Sequence, residues 1–324
     1  MPLQRSGADM RTTRTLTAAL AMAAALVLSA CGSSGGDGDG GGDPAATRDV
    51  TDVTGAVVKV PAAPKKVIAL SEQDLDGLLA LGVTPAGTVN GRGQQAPPAY
   101  LGDKASGIKS VGSVAEPALD AINELEPDLI LAGGVADEAR LKALRDIAPT
   151  VVTYKPADDW KTAFNKAAEA VGKTDAAATW LQTYTSTVEA TKTAIAKHVG
   201  ESVSILRWNP DGPVIMLKDS FASLVVQETG LVRPATQQEP GFAHTDVLSL
   251  ENLAKADGDW IFASTLQPGS AEALKQAKES PAFAALGAVK NERFTEVDGT
   301  LWTSRGGPLG ALKVLEDLGK HLSA

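Results

Sequence analysis

The chain has 324 residues, room for two domains of ordinary size. Its 39 acidic residues outnumber 30 basic ones, a net charge of −9, the opposite of the balance that a nucleic-acid-binding surface carries. One cysteine and three histidines exclude a disulfide scaffold, a zinc finger or a Cys-ligated cluster, and leave little for a His-built metal centre.

Residues 1–31 read as an export signal. Arg5, Arg11 and Arg14 precede an apolar run from Leu16 to Leu28, too short to span a bilayer stably. Met1 and Met10 are both possible starts. The run ends Leu28-Ser29-Ala30-Cys31, which resembles a bacterial lipobox, and that resemblance implies lipidation of Cys31. Two or three acyl chains on one residue anchor a protein stably. Residues 32–48 hold seven glycines and no large apolar residue, so they read as a disordered tether spanning on the order of 20–25 Å. A G-x-S-x-G and a G-x-G-x-x-G pattern fall inside this tether. Neither lies between a strand and a helix, as its chemistry requires, so both are discarded.

The body then alternates strands with helices, which indicates parallel α/β units. Val67-Ile68-Ala69-Leu70 is a buried strand, and Ser71 caps the helix ending at Leu81-Gly82. A strand near Ala86–Val89 opens into the polar loop Asn90–Tyr100. A helix over Pro117–Glu126 puts Leu119, Ile122 and Leu125 on one buried face. The strand Leu129–Ala132, a helix over Asp137–Ile147 and the segment Thr150–Val152 complete an N-terminal lobe, residues 49–157.

Residues 158–199 read as a helical connector broken at Gly172-Lys173-Thr174. Its second part, Asp175–His198, carries Leu181, Tyr184, Val188 and Ile195 on one stripe, a rod of roughly 36 Å that holds the lobes stiffly. Residues 200–324 repeat the first plan. Ser202–Trp208 is a strand, and Ser220–Thr229 is a helix closed by Gly230. Leu248–Ala263 aligns with Pro117–Ala132 at a constant offset of 131, with four identities in sixteen positions and the apolar and acidic positions in phase. The expected fold is two duplicated Rossmann-like lobes with parallel sheets, joined by one long helix, with a ligand cleft between them.

These segments, taken in order, carry a resemblance. Val67–Leu70, Pro117-Ala118-Leu119-Asp120 with Glu126–Ile130, Ala148-Pro149-Thr150 and the long helix come first. Leu248–Leu253, Ala256–Phe262, and Leu301-Trp302 before Gly306-Gly307-Pro308 follow. Together they resemble the helical-backbone substrate-binding lipoproteins of ABC importers for ferric siderophores, haem and cobalamin, over residues 50–324. The resemblance implies a monomeric, non-catalytic binding protein on the outer face of a Gram-positive-type cytoplasmic membrane. It has no resident cofactor, its iron is held by the siderophore, and its partners are the permease subunits with their ATPase.

The resemblance also implies roles for single residues. Asp120 and Glu251 occupy the positions where such proteins dock to permease arginines, and each is turned about 100° from an apolar neighbour on the buried stripe. Asp120 departs from the glutamate commoner there. Arg207 and Trp208 end the first strand of the second lobe, where hydroxamate binders carry such a pair; arginine donates to iron-bound oxygens and indole covers the ligand's linkers. Trp302, Arg305 and Arg92 lie in loops at strand exits, where open α/β sheets bind ligands. His244 is the remaining cleft candidate, without a tyrosine in Arg293–Val297 to complete an iron shell. A ferric hydroxamate is the favoured ligand. Cobalamin and haem are alternatives, haem needing an axial ligand such as His244 or Tyr154. A secreted α/β hydrolase is the rival outside this class, though no nucleophile motif stands in structural context.

Overall fold

The apolar runs are short because Ser, Gly or Pro closes each of them. In the computed structural model, which describes residues 46–323, they form short strands in two sheets. The expected signal segment, Cys31 and residues 32–45 lie outside the described residues. A hairpin comes first, β1 (Thr47–Thr51) against β2 (Val57–Pro61), paired from Thr47↔Pro61 to Thr51↔Val57. Thr47 and Arg48, placed in the tether by composition, are therefore strand residues. Arg48 Nη2 donates to the Ala170 carbonyl at 2.6 Å.

The N-terminal lobe runs β3 (Val67–Ala69), α1 (Glu72–Ala80), β4 (Gly87–Asn90), β5 (Lys109–Ser113), α2 (Leu119–Glu124), β6 (Leu129–Leu131), α3 (Glu138–Ile147) and β7 (Thr150–Val151). Its sheet is parallel throughout, in the order β5-β4-β3-β6-β7. Ser71 caps α1 as expected, its Oγ accepting from the Asp74 N–H at 3.0 Å.

The connector is α4 (Trp160–Ala170) and α5 (Thr174–Ala194). A 3₁₀ turn over Ala196–His198 replaces the last turn expected of the long helix, which is thus 21 residues long. The C-terminal lobe contains β8 (Val203–Asn209), β9 (Gly212–Ile215), α6 (Phe221–Glu228) and a 3₁₀ segment over Leu250–Ala256. It continues with β10 (Trp260–Thr265), α7 (Ser270–Lys278), α8 (Pro281–Ala284), α9 (Gly287–Lys290), β11 (Phe294–Asp298), α10 (Gly299–Trp302) and α11 (Pro308–Leu322). Its sheet order is β11-β10-β8-β9, and β9 is antiparallel to β8. A tight turn at Pro210-Asp211 leaves no length for a crossover, so this sheet departs from the all-parallel expectation.

Strand parity decides where the core lies. Val67, Ala69, Leu129 and Leu131 of one lobe join Val203, Ile205 and Phe262 of the other in a single apolar core that also takes in Trp160, Phe164 and Tyr184 of the connector. The alternate residues, Ile68, Leu70 and Ile130 in one lobe and Leu206, Trp208 and Ile261 in the other, form two separate outer cores. The lobes are thus held by shared packing as well as by α5, which packs against both α4 and α11.

Several polar contacts cross between the lobes, and the one at Asp76 gathers the most donors. Asp76 of α1 is fully buried, and its carboxylate accepts at the N-terminus of α11. The N–H groups of Leu309, Gly310 and Gly307 donate to it at 2.7, 2.9 and 3.2 Å, and the Tyr100 hydroxyl donates at 2.7 Å. A carboxylate there satisfies orphan helix donors and complements the helix dipole. The close approach explains two glycines. A Cβ on Gly306 would stand 2.3 Å from the Phe221 ring, and one on Gly307 2.9 Å from Asp76 Cβ.

Asp76→Ala should destabilise the fold by on the order of 3 kcal/mol or more in urea unfolding, because it strands buried donors from two elements. Burial pushes the Asp76 carboxyl up to about 6, against the pull of Tyr100 and three backbone donors. Its folded value therefore lies above its unfolded one. The stability linked to its proton is complete below about pH 4 and is lost as pH rises through 6, a swing on the order of 3 kcal/mol. Subtracting the pH–stability profile of Asp76→Asn from that of the wild type should isolate this fall. Parallel profiles would refute it.

Candidate functional site

The exits of β3, β4, β6 and β7 converge on one end of the N-terminal sheet, where open α/β sheets bind ligands. Asp74 organises the floor. Its buried carboxylate accepts from Ser71 Oγ at 2.7 Å, from Gly133 N–H at 2.9 Å and from Thr153 Oγ1, which ties three strand exits together. Burial pushes this carboxyl up, against the pull of those donors. Gly133 fits only as glycine, because a Cβ there would lie 2.3 Å from the Tyr154 ring and 2.7 Å from Asp74 Oδ2.

Above this floor lies a cavity lined by Leu70, Gly133, Tyr154 and three arginines, Arg92, Arg140 and Arg305. Arg305 comes from the C-terminal lobe, in the segment fixed by Asp76. Its guanidinium stands 5.8 Å from the Tyr154 ring centre, and Nη2 donates to the Pro156 carbonyl at 3.2 Å. Arg92 is steered by Glu72, which accepts from its backbone N–H at 2.7 Å and lies 3.6 Å from its Nε. Ser304 of the other lobe donates its hydroxyl to the same buried carboxylate at 2.9 Å.

Arg207 completes the cluster. Its Nη1 donates to the Thr303 carbonyl at 3.2 Å, while its Nε is buried without a partner among the described residues. Burial lowers the pKa of Arg207, and the Arg92 charge lowers it further. Burial likewise lowers that of Arg305 and raises Tyr154 to about 12. Beside these four arginines stand the acids Glu72, which pairs with Arg92, and Asp137, whose carboxylate already accepts from the Arg140 backbone N–H at 2.7 Å. The site carries excess positive charge. An adjoining apolar bay, walled by Val135, Leu141 and Val152, shares Gly134, Tyr154 and Pro156 with it.

Arg92, Arg207 and Arg305 are therefore brought together as expected, but the tryptophans are not. Trp208 is 1% exposed and packs edge-on to Phe283 in the outer core, because residues adjacent on β8 point to opposite faces and Arg207 takes the inner one. Trp302 is also 1% exposed, stacked on Phe262 at 4.5 Å with its indole N–H donating to Asp317 at 2.7 Å. His244 is exposed, and its Nδ1 lies 2.8 Å from the Thr245 carbonyl oxygen. Asp120 and Glu251 are exposed in the first turns of α2 and of the Leu250–Ala256 segment. Their apolar neighbours are not core residues as expected: Leu119 is 36% exposed and Leu250 45%. The burial register instead falls on Ile122 and Leu253.

Glu72, which the sequence places at the exit of the first strand beside Ser71, steers Arg92, whereas Arg140 is missed by sequence reasoning. Arg140 stands in the first turn of α3, six residues after Gly134, and this is the signal that could have marked it.

Comparison with known proteins places this geometry. The family model described as "Periplasmic binding protein" matches residues 67–301. The probable siderophore-binding lipoprotein YfiY of Bacillus subtilis (strain 168) is 31% identical over 281 residues, 84% of this chain and 86% of its own length. The iron(3+)-hydroxamate-binding protein FhuD of the same organism is 31% identical over 251 residues, 74% of this chain and 76% of its own. Among solved structures, Staphylococcus aureus SirA complexed with staphyloferrin B superposes with a TM-score of 0.75 at 25% identity, covering 85% of this chain and 98% of that one.

Gly133→Ala should displace Tyr154 and cost roughly 1–3 kcal/mol. Adding Tyr154→Ala should recover part of that loss in a double-mutant cycle. Additive costs would show that the close approach is not what constrains Gly133.

Proposed function

The chain belongs to the periplasmic binding protein family, and on that premise we propose that it captures a ferric siderophore and delivers it to the permease of an ABC importer. It binds and releases without chemistry. Acylated Cys31 holds it, as a monomer, to the outer face of the cytoplasmic membrane, and Asp120 and Glu251 meet the permease. The similarity to YfiY and FhuD supports the class of ligand. The observation that carries the reading is the grouping of Arg92, Arg140 and Arg305, drawn from both lobes, about one cavity, with Arg207 near enough to Arg92 to feel its charge.

That cluster also bears on which siderophore fits. Three hydroxamates bring three negative charges and leave Fe(III) neutral. Groups that bring two charges each, such as α-hydroxycarboxylates and catecholates, leave the complex anionic. The exposed Arg92 and the part-buried Arg140, Arg207 and Arg305, with the Arg207 Nε unpartnered among the described residues, gain most from the second kind through charge-assisted hydrogen bonds. With Trp208 and Trp302 in the core, the apolar bay of Val135, Leu141 and Val152 is left to pack the organic frame. We therefore favour an anionic ferric complex. A neutral ferric hydroxamate is the second reading, supported by the similarity to FhuD and by the donors of Arg207 and Arg92.

Calorimetric titration of residues 46–324 should find ferric staphyloferrin B or ferric citrate bound at least tenfold more tightly than ferrichrome. That affinity should fall as salt rises. Arg305→Ala and Arg207→Ala should each weaken it about tenfold or more. Tight, salt-insensitive ferrichrome binding would favour the second reading, and no binding of any ferric complex would remove the proposal. Separately, Cys31→Ser should release the protein from membranes into the medium, and unchanged membrane retention would argue against the lipid anchor.

A further inference from the structure

Arg305 lines a second, smaller space besides the arginine cavity. Gln73 of α1, Asp158, Asp159 and Trp160 at the start of the connector, and Asp219 and Phe242 of the C-terminal lobe wall this recess. It has room for about 20 Å³, enough for one group the size of a water molecule. Each acid is held through one oxygen only. Asp158 Oδ2 accepts from the Lys155 N–H at 2.7 Å, Asp159 Oδ1 from the Thr162 N–H at 2.7 Å, and Asp219 Oδ2 from the Gly241 N–H at 2.8 Å. The other oxygen of each accepts no hydrogen bond among the described residues. Capping and turn formation explain the three acids locally. They do not explain Gln73, which is 4% exposed, while its Oε1 has no partner among the described residues. A buried acceptor left unpaired is costly, so what this recess lacks is a donor.

Resting on the ferric-siderophore reading above, we infer that the recess takes a primary ammonium group carried on an arm of the ligand. An ammonium is a compact charge with three donors and no acceptor. Its donors suit the Gln73 Oε1 and the free carboxylate oxygens, and its charge suits three acids set against the one guanidinium of Arg305. Phe242 and Trp160 give the methylene stem of the arm apolar walls, and aromatic faces attract a cation. A metal ion does not suit the recess, because no group of acid, histidine or cysteine side chains among the described residues is placed to hold one. A water molecule has the right size but brings no charge.

The recess is formed in advance. The N–H groups of Leu217, Lys218 and Asp219 donate to the carbonyls of Ala243, Glu239 and Gly241 at 3.0, 3.1 and 2.9 Å, which pins the loop that carries Phe242. Gly241 adopts φ +142°, and a Cβ there would lie 2.7 Å from Leu217 Cδ1. Arg305 donates to the Pro156 carbonyl rather than to any of the three acids, so the acids keep their charge for a ligand. The two spaces on either side of Arg305 thus carry opposite charge. The arginines take the oxygens around the iron, and the acids take the arm. The ligand class this selects is a ferric complex with a pendant amine, over an otherwise identical complex whose amine is acylated.

The test uses the purified full-length protein and a matched pair of probes, ferrioxamine B, which carries a pendant primary ammonium, and its N-acetyl derivative, which lacks that charge. Ferrioxamine B should bind about tenfold more tightly or better. Asp219→Asn and Asp158→Asn, which keep an acceptor for the backbone, should each shrink that ratio while leaving the affinity of the acetyl derivative unchanged. A second arm needs no iron. Propylammonium chloride should shift the indole N–H resonance of Trp160 saturably, and tetramethylammonium chloride, which has no donor, should not. Equal binding of the two ferrioxamines would overturn the inference, as would a ratio that survives both substitutions. No response to propylammonium would leave water as the occupant and overturn it too. Binding of ferric citrate but of neither ferrioxamine would remove the arm as a ligand contact. A wild-type protein that binds no ferric complex at all fails at the importer reading itself, and the propylammonium arm, read without iron, tells that failure from this one.

Discussion

Burying a carboxylate costs several kcal/mol unless donors surround it, and here the donors that surround Asp76 belong largely to the other lobe. This single constraint sets much of the rest. The start of α11 must come close enough for three N–H groups to reach one side chain of α1, so Gly306 and Gly307 have no room for a Cβ against Phe221 and Asp76. The segment just before them is fixed in consequence. It is the segment that carries Ser304 to Glu72 and Arg305 to the rim of Tyr154.

The cleft therefore inherits its geometry from the lobe interface. The Arg92 charge acts against those of Arg207 and Arg305, so each guanidinium needs its own acceptor to stay in place. Glu72 holds Arg92 from beneath while Ser304 holds Glu72 from across the cleft. Carbonyls of Thr303 and Pro156 do the same for Arg207 and Arg305 without neutralising them. Guanidiniums oriented by neutral acceptors keep their charge available, and a ligand that supplies negative charge relieves repulsion already present. Preorganisation of this kind raises affinity by lowering the cost of ordering the site on binding.

How much of this was legible in the sequence follows from the kind of pattern each feature leaves. Strands such as Val67–Leu70 and the repeat at offset 131 were visible because aliphatic runs and phase survive in one dimension. Arg92 and Arg207 were visible because they sit at the ends of β4 and β8, whereas Arg140 lies inside α3 and leaves no such mark. Trp208 was misplaced because the sequence shows that Arg207 and Trp208 share a strand end but not that β8 spends its inward parity on arginine. Trp302 was misplaced because stacking on Phe262 is a tertiary fact with no local mark. Leu119 and Leu250 were assigned to the core on apolarity alone, and the true register came from Ile122 and Leu253. Asp74 and Asp76 went unremarked because acids in a helix are ordinarily solvated. Nothing in Glu72–Asp76 announces that all of these side chains are buried.

Shared packing across the lobes also constrains how a ligand can leave. With Val67, Phe164, Val203 and Leu315 in one core, opening the cleft by hinge motion would break apolar contacts along the whole middle layer. Thermal fluctuation alone pays poorly for that. A partner that grips one lobe alone would move the protein as a rigid body and leave the cleft unchanged. One that grips both lobes at once can apply opposed displacements across the Asp76 contact, where hydrogen bonds join the apolar packing of α1 on α11. A shift there moves Arg305 and Ser304 together, because both belong to the segment leading into α11.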